Sequence, residues 1–248
     1  MTEFKFPTEQ IDLPSKGLVY PKENPLSSGV VEIKYMTAKE EDILSNQTFI
    51  QNGTVLDKLL DSVIVSKIDP KDLVIGDKNA ILIATRILGY GADYSVTIGG
   101  KTHVIDLSQL ENKEFDSSVL VEKNKNEFSF TLPNSNTPIT YKILTGHDDV
   151  KIEQELKGLK KINPNASPES STRLKYTLTS VKGELGTKEI REFVDNYFLA
   201  RDARAFREHV RNTSPDVNLK VILDNGEEVE VPIGLSFFWP DFGDSTSN

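Results

Sequence analysis

Three pairs of short β-forming runs, each pair joined by a turn signal, constrain this chain most. Tyr94–Ile98 and His103–Leu107 flank Gly99-Gly100, and Leu219–Leu223 and Glu228–Ile233 flank Asp224-Asn225-Gly226. Phe128–Leu132 and Ile139–Leu144 flank a polar loop that contains proline. Tight turns of this kind join antiparallel strands, because residues that tolerate positive φ match the strand twist. Parallel strands would need long crossovers instead. Helical patterns lie between the hairpins, so the expected fold class is α+β.

The helical patterns carry their own start and stop signals. Val30–Tyr35 alternates as a strand, and Thr37-Ala38-Lys39-Glu40 then reads as a capping box opening a helix to about Ser45. Thr54 starts a second helix with Val55, Leu59, Leu60, Val63 and Ile64 on one stripe, broken at Asp69-Pro70. Asp77 is expected to cap a third, with Ile81, Leu82, Ala84, Thr85 and Leu88 at helical spacing and Gly89 and Gly91 closing it. Further on, His147–Leu159 and Ser167–Lys182 read as helices, and Thr187 opens a long one to about Asn212.

Residues 1–29 read as an extended arm, because Pro7, Pro14, Pro21 and Pro25 interrupt any helix. The expected organisation is therefore an arm (1–29), an α+β region (30–145), a helical region (146–214), and a last hairpin with an aromatic tail (215–248). That hairpin is expected to pack back on the N-terminal part. The first and last hairpins are alike in length and turn position, but short hairpins resemble one another, and coincidence explains this better than duplication.

Charge and composition narrow the function classes. The chain has no cysteine, so disulfides, thiolate zinc sites and cysteine nucleophiles are absent. The formal net charge is −9 over 248 residues, which argues against a general nucleic-acid binder. Residues 151–214 depart from this, with 13 basic and 9 acidic residues. The opening residues hold no apolar run of signal-peptide type, and no stretch reaches a membrane-spanning length, so no membrane partner is expected.

Catalytic signals are poor. His103, His147 and His209 lack a second histidine at metal-ligand spacing, and His147-Asp148-Asp149 is explained by the helix dipole. Gly89-Tyr90-Gly91 follows a helix and reads as a C-cap. Glu40-Glu41-Asp42 lies in a first helical turn, where carboxylates cap. A hydrolase or nuclease would need a clustered acid/base or metal constellation, and none is written here. The expectation is a protein without catalysis, cofactor or metal.

Three segments are candidate partner-binding sites. The arm could dock through Leu13, Pro14, Tyr20 and Leu26, or pack on its own domain. Phe237-Phe238-Trp239-Pro240-Asp241-Phe242 holds four aromatics in six residues; Phe237, Phe238, Trp239 and Phe242 would anchor an interface or cap the core. In the long helix, Ile190, Phe193, Val194 and Tyr197 share one side, while Phe206 and Val210 lie nearly opposite. Arg201, Arg204, Arg207 and Arg211 cluster near the side of the first stripe. Either the helix breaks near 199–203, or its halves face different neighbours. The arginines are a solvated face or a dock for an acidic or helical client.

The arm and the segments after it resemble the T4-type baseplate hub assembly proteins of contractile-tailed bacteriophages. The likeness is carried by Leu13-Pro14-Ser15-Lys16-Gly17-Leu18-Val19-Tyr20, by Pro25–Gly29, and by Val31–Leu44. It continues through Gly53–Leu60, Gly76–Ile81 and Arg86–Gly91. It spans roughly 10–145 and is specific over the first 90 residues. Cysteine pairs found after the Gly-Tyr-Gly segment in some members are missing, so no zinc role carries over. The resemblance implies a factor that binds hub subunits, in the host cytoplasm during assembly, without turnover. By analogy the tape-measure protein is a further client. The alternative it leaves open is a structural subunit kept in the virion baseplate or tail tip.

Overall fold

A computed structural model of the chain describes residues 7–98, 100–163, 165 and 167–239. Strands β1 (Thr8–Asp12) and β2 (Val30–Lys34) pair antiparallel, with Thr8 opposite Lys34 and Asp12 opposite Val30. Between them residues 13–29 fold into a compact loop. The Leu13 N–H donates to the Gly29 carbonyl at 2.8 Å, and the Asn24 side chain caps the 3-10 turn Pro25–Ser28. Gly17 sits at φ 73°, and a Cβ there would lie 2.4 Å from the Ser27 carbonyl oxygen. Only glycine suits that position. The prolines exclude helix, as expected, but the segment is a folded loop and not a free arm.

Helix α1 (Ala38–Leu44) carries the expected capping box. Its Glu40 is fully buried and accepts from Lys34, Ser62 and Thr37. Burial pushes this carboxyl up, but those hydrogen bonds outweigh it and hold it at about 2. Helix α2 (Gln47–Gln51), capped by Asn46, is too short for a periodic signal and was not expected. Helix α3 (Val55–Val63) buries Val55, Leu59, Leu60 and Val63, as its stripe predicts.

Helix α4 (Ile75–Tyr90) begins with Val74 as N-cap. Asp77 therefore does not cap it, and its carboxylate turns inward. The hairpin of β3 (Asp93–Ile98) and β4 (Lys101–Asp106) follows. Next come β5 (Phe128–Thr131), β6 (Pro138–Tyr141) and α5 (Gly146–Ile162), the last with a Thr145/Asp148 capping box.

The expected helix 167–182 divides. Helix α6 (Glu169–Thr177) gives way to β7 (Leu178–Val181), which pairs antiparallel with β6. The Thr140 hydroxyl bonds those of Thr179 and Ser180 at 2.7 and 2.6 Å. The open edge of β6 thus draws four residues out of helical pattern, a tertiary override of local propensity.

The long helix breaks between Asn196 and Ala200, next to the 199–203 position that its opposed stripes offered as one of two readings, giving α7 (Thr187–Asn196) and α8 (Ala200–Thr213). The break turns Ile190, Phe193 and Val194 of the first stripe and Phe206 of the second inward. Phe198, in the joint, packs 5.4 Å from Phe193 and 6.1 Å from Phe206. Strands β8 (Lys220–Ile222) and β9 (Glu228–Glu230) form the last hairpin.

One apolar cluster draws on all four expected regions, from Leu13 through Phe128 and Phe206 to Phe238. The fold is α+β. Arg86 fastens the C-terminal part to α4: its Nε donates to the Phe237 carbonyl at 3.1 Å, and the Phe237 ring packs 5.2 Å from Tyr94. Among the described residues no helix is long and apolar enough to cross a membrane.

Candidate docking surfaces

The arm residues turn inward. Leu13, Tyr20 and Leu26 are at most 4% exposed, and Pro14 is buried beside them. Leu13, Tyr20 and Leu26 belong to the core cluster, so none of these four side chains is free to anchor a partner. The reason is a polar knot between the arm and α4. Asp77 accepts the Ser15 N–H at 2.9 Å, the Ser15 hydroxyl at 2.6 Å and the Tyr20 hydroxyl. Tyr20 in turn accepts the Val74 N–H at 3.1 Å, and Ser15 Oγ accepts the Gly17 N–H at 3.2 Å. Burial raises both the Asp77 carboxyl and the Tyr20 phenol, and their proximity raises the phenol further. Two backbone donors orient both hydroxyls, so each offers its proton to Asp77.

The aromatic tail splits. Phe237 and Phe238 are fully buried and pack edge-to-face at 5.5 Å, so they cap the core instead of anchoring an interface. Trp239 is half-buried, 6.4 Å from the Tyr90 ring. Phe242 lies outside the described residues.

The arginines keep their place on the surface. Helix α8 buries Asp202, Ala203 and Phe206, and leaves Arg201, Arg204, Arg207 and Arg211 exposed. Among the described residues none of the four takes part in an ion pair. Their Cα positions span about 15 Å of helix at about 1.5 Å per residue. Buried Asp202 holds this face outward. It accepts the Asn134 N–H at 2.8 Å, the Asn134 side-chain amide at 2.9 Å and the Ser135 N–H at 3.0 Å. Burial opposes its ionisation, but these bonds keep its carboxyl below the usual range. Asp202 thus ties the first turn of α8 to the β5–β6 loop.

Beside the helix joint lies an open hollow of about 520 Å³, bounded by Val181, Phe193, Tyr197 and Leu199. Tyr197 is 62% exposed and Leu199 49%. Tyr197 shares the apolar side of the α7 pattern in the sequence, and Leu199 belongs to neither stripe. Both are displaced outward because the break hands the core positions to Phe198. The break, one of the two readings the opposed stripes leave open, is the signal that points to them.

His209 and His147 have side-chain partners within the fold. His209 stacks on Phe130 at 4.1 Å and meets Tyr141 edge-on at 5.7 Å. Its buried Nε2 has no hydrogen-bond partner among the described residues, and burial lowers its pKa. His147 Nε2 lies 3.3 Å from Asp69 and 3.1 Å from Asp72, with all three side chains substantially exposed. These could gather around a cation. They equally form a hydrogen-bonded contact at the start of α5, where Asp69 also caps the turn Pro70–Asp72.

No family model, curated protein or solved structure matches the chain.

Proposed function

We propose that this protein is a non-catalytic assembly factor of the phage baseplate hub, binding other tail proteins through its helical half. One observation carries the reading. Two of the segments that resemble the hub assembly proteins, Leu13–Tyr20 and Gly76–Ile81, are about 60 residues apart in the chain. They meet at the knot of Ser15, Tyr20 and Asp77. A likeness to a frame should concentrate where the frame is joined, since such contacts are specific and costly to break. The resemblance therefore speaks for a shared scaffold, and the clients must be met elsewhere.

The exposed surface of α8 and the adjoining hollow suit that role. Guanidiniums without partners favour carboxylates in paired geometry, and exposed apolar side chains at the joint supply an anchor. The expected client is a hub subunit, with the tape-measure protein as a further candidate.

The test is a tagged pull-down from infected cells beside mass spectrometry of purified particles. Recovery of hub or tape-measure proteins, with the protein absent from particles, is the expected result. A fixed copy number in particles would make it a structural subunit. Recovery of neither client would overturn the reading.

A further inference from the structure

Two strand edges face each other across an open groove of about 460 Å³. Four consecutive residues of one hairpin strand, His103 to Asp106, line it, and so do the consecutive residues Lys220 to Asp224. A strand presents alternate residues to a neighbour packed on its face, and consecutive ones only along its edge. The groove therefore runs along the edges of β4 and β8. No residue of β3 or β9 borders it, and each of those strands pairs on the other side of its hairpin.

The segments beside the two strands already touch at the foot of the groove. Lys113 N–H donates to the Asp216 carbonyl and Asn218 N–H to the Glu111 carbonyl, each at 2.8 Å, and Asn112 bridges Val217. Beyond this pinch the ladder stops: among the described residues β4 and β8 belong to separate sheets. Exposed strand edges are commonly blunted by proline, lysine or a covering loop. Here Val104 and Ile222 are 63% and 74% exposed.

The groove is also charged. Asp106, Glu111 and Asp224 line it, against Lys220 and the imidazole of His103 among the described residues, and Lys220 is already paired with Glu228 at 2.6 Å.

We infer that this groove takes one extended segment of another polypeptide, inserted as a strand between β4 and β8, with basic residues alternating with β-branched ones. Such a segment would satisfy both free edges with main-chain hydrogen bonds. Val104, Asp106, Ile222 and Asp224 lie on the exposed faces of their strands. Its basic side chains would therefore meet the carboxylates and lay their aliphatic stems over Val104 and Ile222, while its β-branched residues would face the side of Ile105 and Leu223. The result is a five-stranded sheet in the order β3, β4, inserted strand, β8, β9. The inference is independent of the hub reading, since a strand of this kind can come from any partner.

The probe is a blocked peptide of about eight residues alternating lysine and valine, long enough for one strand. It is titrated into the full chain with amide hydrogen exchange as the readout. The expected result is saturable protection confined to β4 and β8, at least tenfold tighter than for the matching glutamate–valine peptide. The double variant Val104→Lys, Ile222→Lys adds two positive charges at exposed positions. It should keep the wild-type melting curve and lose the protection. Protection elsewhere, none at all, or equal binding of the two peptides overturns the inference. So does concentration-dependent protection of both edges without peptide, which would make a second copy the occupant. Should the double variant melt early, the wild-type comparison of the two peptides decides alone.

Discussion

Removing one oxygen from Tyr20 isolates the knot that turns the arm into core. Tyr20→Phe keeps the ring, so the buried apolar area is nearly unchanged. The lost hydroxyl accepts the Val74 N–H at 3.1 Å and is one of three donors to buried Asp77. An orphaned buried N–H costs about 1–3 kcal/mol, and a hydrogen bond to a charged group contributes about 1.5–3 kcal/mol. Part of this is offset because the phenylalanine has no hydroxyl to desolvate. The net loss should be about 2–4 kcal/mol. For a chain of this length, about 2–4 °C per kcal/mol converts that to a fall in Tm of roughly 5–15 °C. Urea denaturation followed by circular dichroism measures it, with the midpoint lowered and the slope unchanged. Ser15→Ala should give a loss of similar size, and the double variant less than the sum, because both act through Asp77. A loss below about 0.5 kcal/mol for Tyr20→Phe would refute the reasoning. If such a variant also lost its partners, the arm would be a docking peptide after all.

Other consequences are as direct. Reversing Arg201, Arg207 and Arg211 to glutamate should leave the melting curve close to wild type while client capture falls at least tenfold; equal capture would move the docking surface elsewhere. Glu40, held at about 2 in the fold against an ordinary 4.5, adds stability that is complete above about pH 4.5 and lost as pH falls toward 2. Glu40→Gln should flatten that part of the acid denaturation curve. His209, lowered by burial, adds stability above its ordinary value near 6.5 that drains as pH falls below it. His209→Phe should remove that slope while keeping the stack on Phe130. Gly76→Ala should destabilise by about 2 kcal/mol or more, because the new Cβ would lie 1.9 Å from the Pro215 carbonyl oxygen and neither backbone can yield cheaply. A wild-type urea midpoint for that variant would show the two backbones are not in contact.

Hairpins, capping boxes and chain breaks were legible because each is a local matter. The turn at Asp224-Asn225-Gly226, the Thr37/Glu40 box and the stop at Asp69-Pro70 depend on neighbours within a few residues. Those neighbours are printed side by side. The site was less legible. The arginines of α8 read correctly as one exposed cluster, since helical spacing alone sets their common face. Which way that face turns depends on Asp202 and the β5–β6 loop, 67 and 68 residues away along the chain.

By itself, then, the sequence determined the fold class, the three hairpins, the placement of most helices, and the lack of any cysteine chemistry. Each follows from backbone geometry or from residue type. Tertiary structure alone decided that the arm is core, that Asp77 faces inward, and that residues 178–181 join a sheet. It also decided that Phe237 and Phe238 are buried while Tyr197 and Leu199 are not. In three of these the deciding partner is remote along the chain: Asp77 for Tyr20, Thr140 for Thr179 and Tyr94 for Phe237; at the helix joint it is Phe206, across the break from Phe198. A local pattern specifies which side of an element is apolar, but only the assembled chain specifies what covers that side.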